Sequence, residues 1–509
     1  MRRCFSCWLF YFLSVFPVFA QETNVPVWWE TVLGYTQLPI GRMQKTLQAA
    51  CDLITTKSLT PVTASQLAFA SVKSLSTIDQ KISVMKDGKR VLILADGKIL
   101  KSFSAPADED CANWTRLTLA AAVEARPYSP KAQAADAEEF FNIFLNAALG
   151  VIDSYSHYAG VDPAELEPLK KPAGIGISYR RIGKYLEITE ILHDGAAAHS
   201  DLAVGDRISA IGGKAVTDLS RVQVLNLLRG EEGSDIFLTL RKDGKTQQRT
   251  LKRTQVSASP VTYFFDEKDR LMTIRISAFT EKTVSGLKAT LYKAKQLKTA
   301  GLIIDLRSNT GGLLKEAVLA ADLFLPDNLL MIKTKGRLEQ TEQQYISTPK
   351  KNRPVYPIVI LTDSKTASSA EFFAGVLQEY RHAVIIGTPT YGKGVIQAND
   401  SLPGGGQLYL TWAQFYLPSG YSPQTYGLYP NICTSGITLL TLDRLPPAKT
   451  QLKPWRTGTE AFKRKALAAC PPQPRKDNPA DDEAARQLLL NPARYERALT
   501  YFSLDSTEK

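Results

Sequence analysis

The sequence predicts a multidomain α/β protein whose core is a largely parallel sheet. Three short runs of branched apolar residues, at 301–306, 356–361 and 383–387, read as buried strands. A helical pattern at 369–380, with Phe372, Phe373, Val376 and Leu377 on one face, separates the last two runs. The first two runs give way to polar or glycine-bearing turns, and a strand–helix–strand unit that crosses over right-handed makes its strands parallel.

The elements follow in chain order. Arg2 and Arg3 precede an apolar run at 8–20, and Val18-Phe19-Ala20 has the small-residue character of a cleavage site before Gln21. The run is too short for a membrane span, and Pro17 would break a spanning helix. Residues 1–20 are therefore expected to be a signal peptide, with an uncleaved anchor as the alternative. Four cysteines lie beyond them: Cys51, Cys111, Cys433 and Cys470. An even number in an exported chain suggests disulfides. Four cysteines allow three connectivities, and pairing within each end of the chain is the expectation.

Residues 21–159 read as mainly helical, most clearly at 135–152, with a hairpin at 90–101 around Asp96-Gly97. Residues 160–253 form a glycine-punctuated unit of their own. A core at 254–445 opens with a strand at 272–276. Pro446-Pro447, Pro471-Pro472 and Pro474 mark a linker-like stretch in 446–509, followed by a terminal helix interrupted at Pro492. The formal net charge is +12, with basic residues scattered rather than clustered. Such a surface suits solubility or peripheral contact with anionic envelopes. No nucleic-acid motif is present. No His-Glu-x-x-His occurs, and no Cys-x-x-Cys occurs beyond the leader, so no metal site is expected.

Ser368 and Lys393 flank the helix and the second strand of the crossover unit. Twelve helical residues carry the chain back ~18 Å, and five strand residues return it ~17 Å. Both residues therefore reach one edge, at the carboxyl ends of parallel strands, where open α/β sheets bind ligands. Asp305-Leu306-Arg307-Ser308-Asn309-Thr310-Gly311-Gly312 ends at the same edge. Paired glycines there suit a backbone that turns its N–H groups toward a ligand. A hydroxyl, an amine and exposed amides are the parts of acyl transfer: nucleophile, base and oxyanion hole. Lysine is a base only when neutral, and the largely uncharged setting Tyr391-Gly392-Lys393-Gly394-Val395-Ile396 favours that form. Gln397 is placed to hydrogen-bond the amine. Ser368-x-x-Glu371 also reads as a plain helix-capping box.

Thr366-Ala367-Ser368-Ser369-Ala370-Glu371, the Gly392-Lys393-Gly394 segment and Gln397 together resemble the C-terminal processing peptidases, or tail-specific proteases. The resemblance implies Ser368 as nucleophile, Lys393 as base and Gln397 as orienting residue. It implies an oxyanion hole from Gly311, Gly312 and Ser369. Gly174-Ile175-Gly176-Ile177, followed by Val204-Gly205-Asp206-Arg207-Ile208, resembles a protease-associated PDZ domain. Its carboxylate-binding loop would be Gly174, Ile175, Gly176 and Ile177, and 222–228 would line the groove. The turn at 151–158 also resembles the family's, with His157 structural rather than catalytic.

The implied architecture is a crotonase/ClpP-like α/β protease core with an inserted PDZ domain and an N-terminal helical region. The implied activity is cofactor-free, serine-type hydrolysis of proteins with exposed C-termini, in the periplasm. A homo-oligomer or an activating adaptor is left open. Alternatives are a catalytically silent PDZ adaptor and a crotonase-like acyl-thioester enzyme. Two departures stand out. In the family resembled, most members carry Asp-Tyr-Gly where this chain has Glu379-Tyr380-Arg381, and many carry Pro-Asp where it has Pro430-Asn431.

Overall fold

The computed structural model describes residues 38–160, 173–191, 195–219, 221–242, 245–254, 259–349, 353, 355–435 and 452–500. The leader-like residues 1–20, which carry the export expectation, lie outside these.

The N-terminal unit joins helices α1 (Ile40–Lys57), α2 (Ala64–Lys73), α3 (Leu75–Ile78), α4 (Cys111–Ala125), α5 (Pro130–Ala134) and α6 (Ala137–Leu149) to an antiparallel sheet. The sheet is β1 (Ile82–Asp87), β2 (Arg90–Ala95) and β3 (Lys98–Ser104). The expected hairpin turns at Asp96-Gly97, both with positive φ, as a tight primed turn requires. The structure adds β1, which buries Ile82 and Val84. Trp114, Phe140, Phe141 and Phe144 are buried in this unit, and Cys51 is bonded to Cys111.

The second unit begins with β4 (His157–Ala159) and runs into a sheet of five strands in the order β10-β9-β7-β6-β5, with β8 (Lys214–Ala215) beside β7. These are β5 (Ile177–Ile182), β6 (Tyr185–Ile191), β7 (Arg207–Ile211), β9 (Asp235–Lys242) and β10 (Lys245–Lys252). Their core gathers Ile175, Leu186, Ile188, Ile208, Leu238 and Leu240 around Val224 and Leu228 of α7 (Arg221–Leu228). β5 is an edge strand.

The core sheet has the order β11-β12-β13-β16-β17-β20. It comprises β11 (Val261–Asp266), β12 (Leu271–Ile276), β13 (Gly301–Asp305), β16 (Ile358–Thr362), β17 (Val384–Gly387) and β20 (Ile432–Cys433). β11 is antiparallel to β12 and the rest are parallel. Alternate residues face opposite sides, as the strand period demands. Ile304, Ile360 and Ile385 pack against α8 (Thr283–Gln296), α9 (Leu314–Asp322) and α10 (Ser369–Glu379). Ile303, Val359, Val384 and Ile386 pack against α13 (Pro479–Leu489) and α14 (Pro492–Thr500) through Ala485, Leu488 and Tyr495. Both faces are covered, which explains why these strands read as continuous apolar runs. A second sheet, β15-β14-β19-β18, holds β14 (Leu330–Gly336), β15 (Gln343–Ile346), β18 (Val395–Ser401) and β19 (Gln407–Tyr416), with β4 on β19.

The C-terminal stretch differs from the expected linker and single helix. It forms α11 (Leu452–Thr457), α12 (Glu460–Ala469), α13 and α14. Pro492 does not interrupt a helix but opens α14, where Asn491 caps the Arg494 N–H at 3.1 Å. The proline run is a docked strap. Gln473 O accepts the Ser364 N–H at 3.1 Å and the Thr388 hydroxyl at 2.9 Å. Prolines suit such a strap because they bring no N–H that needs a partner. The Cys433–Cys470 disulfide fastens its start.

Candidate active site

The turns after β13 and β16 meet through Asp363, which is fully buried. Its carboxylate accepts N–H groups from Ser308 (2.9 Å), Lys365 (3.0 Å), Thr366 (3.1 Å) and, on the strap, Arg475 (3.0 Å). One side chain thus ties the Gly311-Gly312 segment, the turn before Ser368 and the C-terminal strap together. Arg307 adds a buried ion cluster, bonding Asp305 at 2.9 Å and Asp482 at 2.9 Å.

Ser368 sits at the N-terminus of α10 with φ 57° and ψ −122°. An L residue adopts that conformation only when its surroundings enforce it, and such outliers cluster at functional sites. The strain lifts Ser368 above an ordinary helix cap. The enforcing contact is Glu371, whose carboxylate accepts the Ser368 N–H at 2.8 Å. The same carboxylate accepts the N–H groups of Gly392 (2.8 Å) and Lys393 (2.8 Å) and the Thr390 hydroxyl. Burial pushes the Glu371 carboxyl up to about 7, against the pull of these four donors.

Lys393 is half-buried, in the loop between β17 and β18. Its Nζ donates to Gln397 Oε1 at 2.7 Å. Gln397 Nε2 donates to the Tyr155 carbonyl at 2.9 Å, which fixes the amide so that its oxygen faces the amine. Burial lowers the Lys393 pKa from the usual lysine value, while Asp153 and Glu371 pull it back up. Ser368, Lys393 and Gln397 line one cavity of about 290 Å³ with Gly312 and Ser369. Its apolar wall is Leu313, Leu314, Val395, Ile396 and Phe415.

The paired glycines divide their labour. The Gly311 N–H donates to Asn309 Oδ1 at 2.8 Å, so it is not an open donor, contrary to the sequence expectation. The side chain of Asn309, itself bonded to Ile276 O at 2.8 Å, claims it first. Among the described residues, the N–H groups of Gly312 and Ser369 have no acceptor, and both residues line the cavity. Gly312 has φ 137°, and a Cβ there would meet Phe279 O at 2.2 Å.

In the small β unit, Gly174 is likewise committed, since its N–H donates to Thr254 O at 2.9 Å. Gly176, with φ 75°, packs on Gly195, where a Cβ would approach to 2.5 Å. Ile175, Gly176 and Ile177 remain as the loop leading into the edge strand β5.

Sequence reasoning missed Tyr155, Glu371 as a clamp, Asp363 and Phe415. Glu371 carried a usable signal: it is an acid set directly before the apolar run Phe372-Phe373-Ala374-Gly375-Val376-Leu377. His157, singled out as structural, stacks on Tyr409 at 4.6 Å and does not line the cavity.

Comparison with known proteins adds to this geometry. Residues 270–434 match the family model described as Peptidase family S41, and residues 165–241 the one described as PDZ domain. A carboxy-terminal-processing protease of Bartonella bacilliformis is 31% identical over 306 residues, covering 58% of this chain and 70% of that protein. A probable CtpA-like serine protease of Staphylococcus haemolyticus is 28% identical over 279 residues, covering 54% of this chain and 55% of that protein. The chain thus spans only about half the length of the staphylococcal relative. A solved structure of a photosystem II D1 C-terminal processing protease shares 24% identity over 63% of this chain and 87% of that one, with a TM-score of 0.38.

Proposed function

Since the chain belongs to peptidase family S41, among the serine-type carboxy-terminal processing proteases, we propose that it hydrolyses peptide bonds near protein C-termini with Ser368 as nucleophile and Lys393 as general base. The observation that carries this reading is the strained Ser368 sharing a cavity with a half-buried lysine whose amine is aimed by Gln397.

Neutral Lys393 takes the Ser368 proton as Oγ attacks the scissile carbonyl. The oxyanion is held by the N–H groups of Gly312 and Ser369, the latter at a helix N-terminus. The lysine then gives its proton to the departing amine, leaving an acyl-enzyme. Water, deprotonated by the same amine, attacks the ester and frees Ser368. No step calls for a cofactor. The core would be the crotonase/ClpP-like one, a reading supported by its repeated parallel β–α–β units.

One wall of the cavity is apolar, formed by Leu313, Leu314, Val395, Ile396 and Phe415, so an apolar residue on the acyl side of the cut is favoured. The PDZ domain would add the substrate tail to the edge of β5 beside α7, with the carboxylate on the N–H groups of Ile175, Gly176 and Ile177. Export to an oxidising compartment such as the periplasm is supported by the two disulfides.

The test is cleavage of an unfolded peptide with an apolar C-terminus, compared with the same peptide amidated at its end. Cleavage of the free-acid form, lost in Ser368→Ala and Lys393→Arg, is expected. Full turnover by Lys393→Arg, whose guanidinium stays protonated, would exclude lysine as the base. Equal cleavage of the amidated peptide would exclude carboxylate recognition.

A further inference from the structure

We infer that Tyr155 is a positioning residue that roofs the Lys393 amine, excluding water from the base of the reaction. This rests on the reading of Lys393 as that base.

The geometry is a closed ring of hydrogen bonds around the lysine, drawn from three separate stretches of chain. Lys393 Nζ donates to Gln397 Oε1 at 2.7 Å, and Gln397 Nε2 to the Tyr155 carbonyl at 2.9 Å. The Tyr155 hydroxyl accepts from Gln424 Nε2 at 3.4 Å. Gln424 Oε1 accepts the N–H of Gly394, the residue after the lysine, at 2.8 Å. Within this ring the Tyr155 phenol lies with its centroid 5.2 Å from Nζ.

The turn carrying Tyr155 is itself built to hold position. Asp153 Oδ1 accepts the N–H groups of Tyr155 (2.7 Å) and Ser156 (2.6 Å), and Oδ2 accepts the Ser156 hydroxyl (2.9 Å). Ser156 Oγ in turn accepts the Thr411 N–H of β19 at 3.0 Å. The tyrosine is thus fixed from both its backbone and its hydroxyl end.

Two effects of the ring oppose each other. Its π face attracts an ammonium, which favours the charged form. Its bulk keeps water from the amine, which favours the neutral form. Loss of hydration is the larger effect for a half-buried lysine, and it is the first cause of the lowered Lys393 pKa. The charged groups near the amine are Asp153 on the same turn as the ring and Glu371 on α10, both of which favour the ammonium. Tyr391, on the lysine's own loop, is the other titratable neighbour of the ring. With the ring gone, those two carboxylates act on a hydrated amine, and more of it is protonated near neutral pH.

The experiment follows the rate of Ser368 labelling by a fluorophosphonate as pH is raised. Tyr155→Ala is expected to move the rising limb about one unit toward alkali, so labelling falls about tenfold near pH 7 yet recovers near pH 10. Tyr155→Phe keeps the ring and carbonyl, and its limb stays with wild type. Tyr155→Gln fills the space with a polar group and shifts the limb as Ala does, which keeps the test alive should the alanine protein fail to fold. A loss by one factor at every pH, or an unmoved limb in Ala and Gln alike, would overturn the inference. Vigorous labelling of Lys393→Arg would instead defeat the dyad itself, so the two failures are told apart.

Discussion

The backbone N–H groups of Ser368 and Lys393 donate to the same oxygen, Oε2 of Glu371, each at 2.8 Å. The two residues that the chain separates by a helix and a strand are thus registered by one buried carboxylate. Glu371→Gln would replace an acceptor of four hydrogen bonds with a group that is half donor. The expected result is a loss of about 3 kcal/mol in stability, from buried donors left unpaired. Activity should fall on the order of 100-fold, because small displacements of reacting groups carry that cost. Chemical denaturation and peptide cleavage measure the two effects separately.

The same carboxyl predicts a pH dependence of stability. Its folded value of about 7 lies above the ordinary 4.5, so the folded state binds the proton more tightly. Its stabilising contribution is complete below 4.5 and is lost as pH rises through about 7. Denaturation midpoints should therefore decline over that window in the wild type, and Glu371→Gln should lack this part of the slope.

Phe415 is buried on β19, at the apolar wall of the cavity, and stacks edge-on against Phe372 with centroids 6.5 Å apart. Phe415→Ala would enlarge the space beside Ser368 and cost about 3 kcal/mol in packing. The expected outcome is a shift of preference toward bulkier aromatic residues on the acyl side of the cut. Cleavage-site profiling of a peptide library by mass spectrometry reads it directly, and an unchanged profile would place that side chain elsewhere.

Arg381 occupies a left-handed position, φ 55°, after α10. The His382 N–H reaches back to Leu377 O at 2.9 Å and the Arg381 N–H to Gln378 O at 3.1 Å, the pattern of a helix end that favours glycine. A glycine, the residue that the resemblance leads one to expect here, would adopt this conformation without strain. Arg381→Gly should stabilise the fold by about 1 kcal/mol, relieving the left-handed strain of a side chain. Thermal unfolding checks the sign. The second departure also has a structural reason: the Asn431 amide donates to Ala498 O of α14 at 3.4 Å, which a carboxylate cannot do.

Much of this was legible in the sequence, for physical reasons. Strands buried on both faces leave continuous apolar runs, and the crossover rule then sends Ser368 and Lys393 to one edge. Gln397 was legible because it lies four residues from Lys393. Tyr155 was not, because it arrives from 242 residues away in a turn without periodicity. Nor could sequence decide between Gly311 and Gly312, since the choice depends on where the Asn309 side chain points. The strap at 471–475 hid behind its prolines, which report extended backbone but not whether it is docked.

The measurement closest to the central claim is mass-spectrometric mapping of the fluorophosphonate adduct on the wild-type protein near neutral pH, beside Lys393→Arg. The account predicts one adduct, on Ser368, and none when the amine is replaced by guanidinium. An adduct on another residue, or one on Ser368 that forms as fast without the lysine, would contradict it.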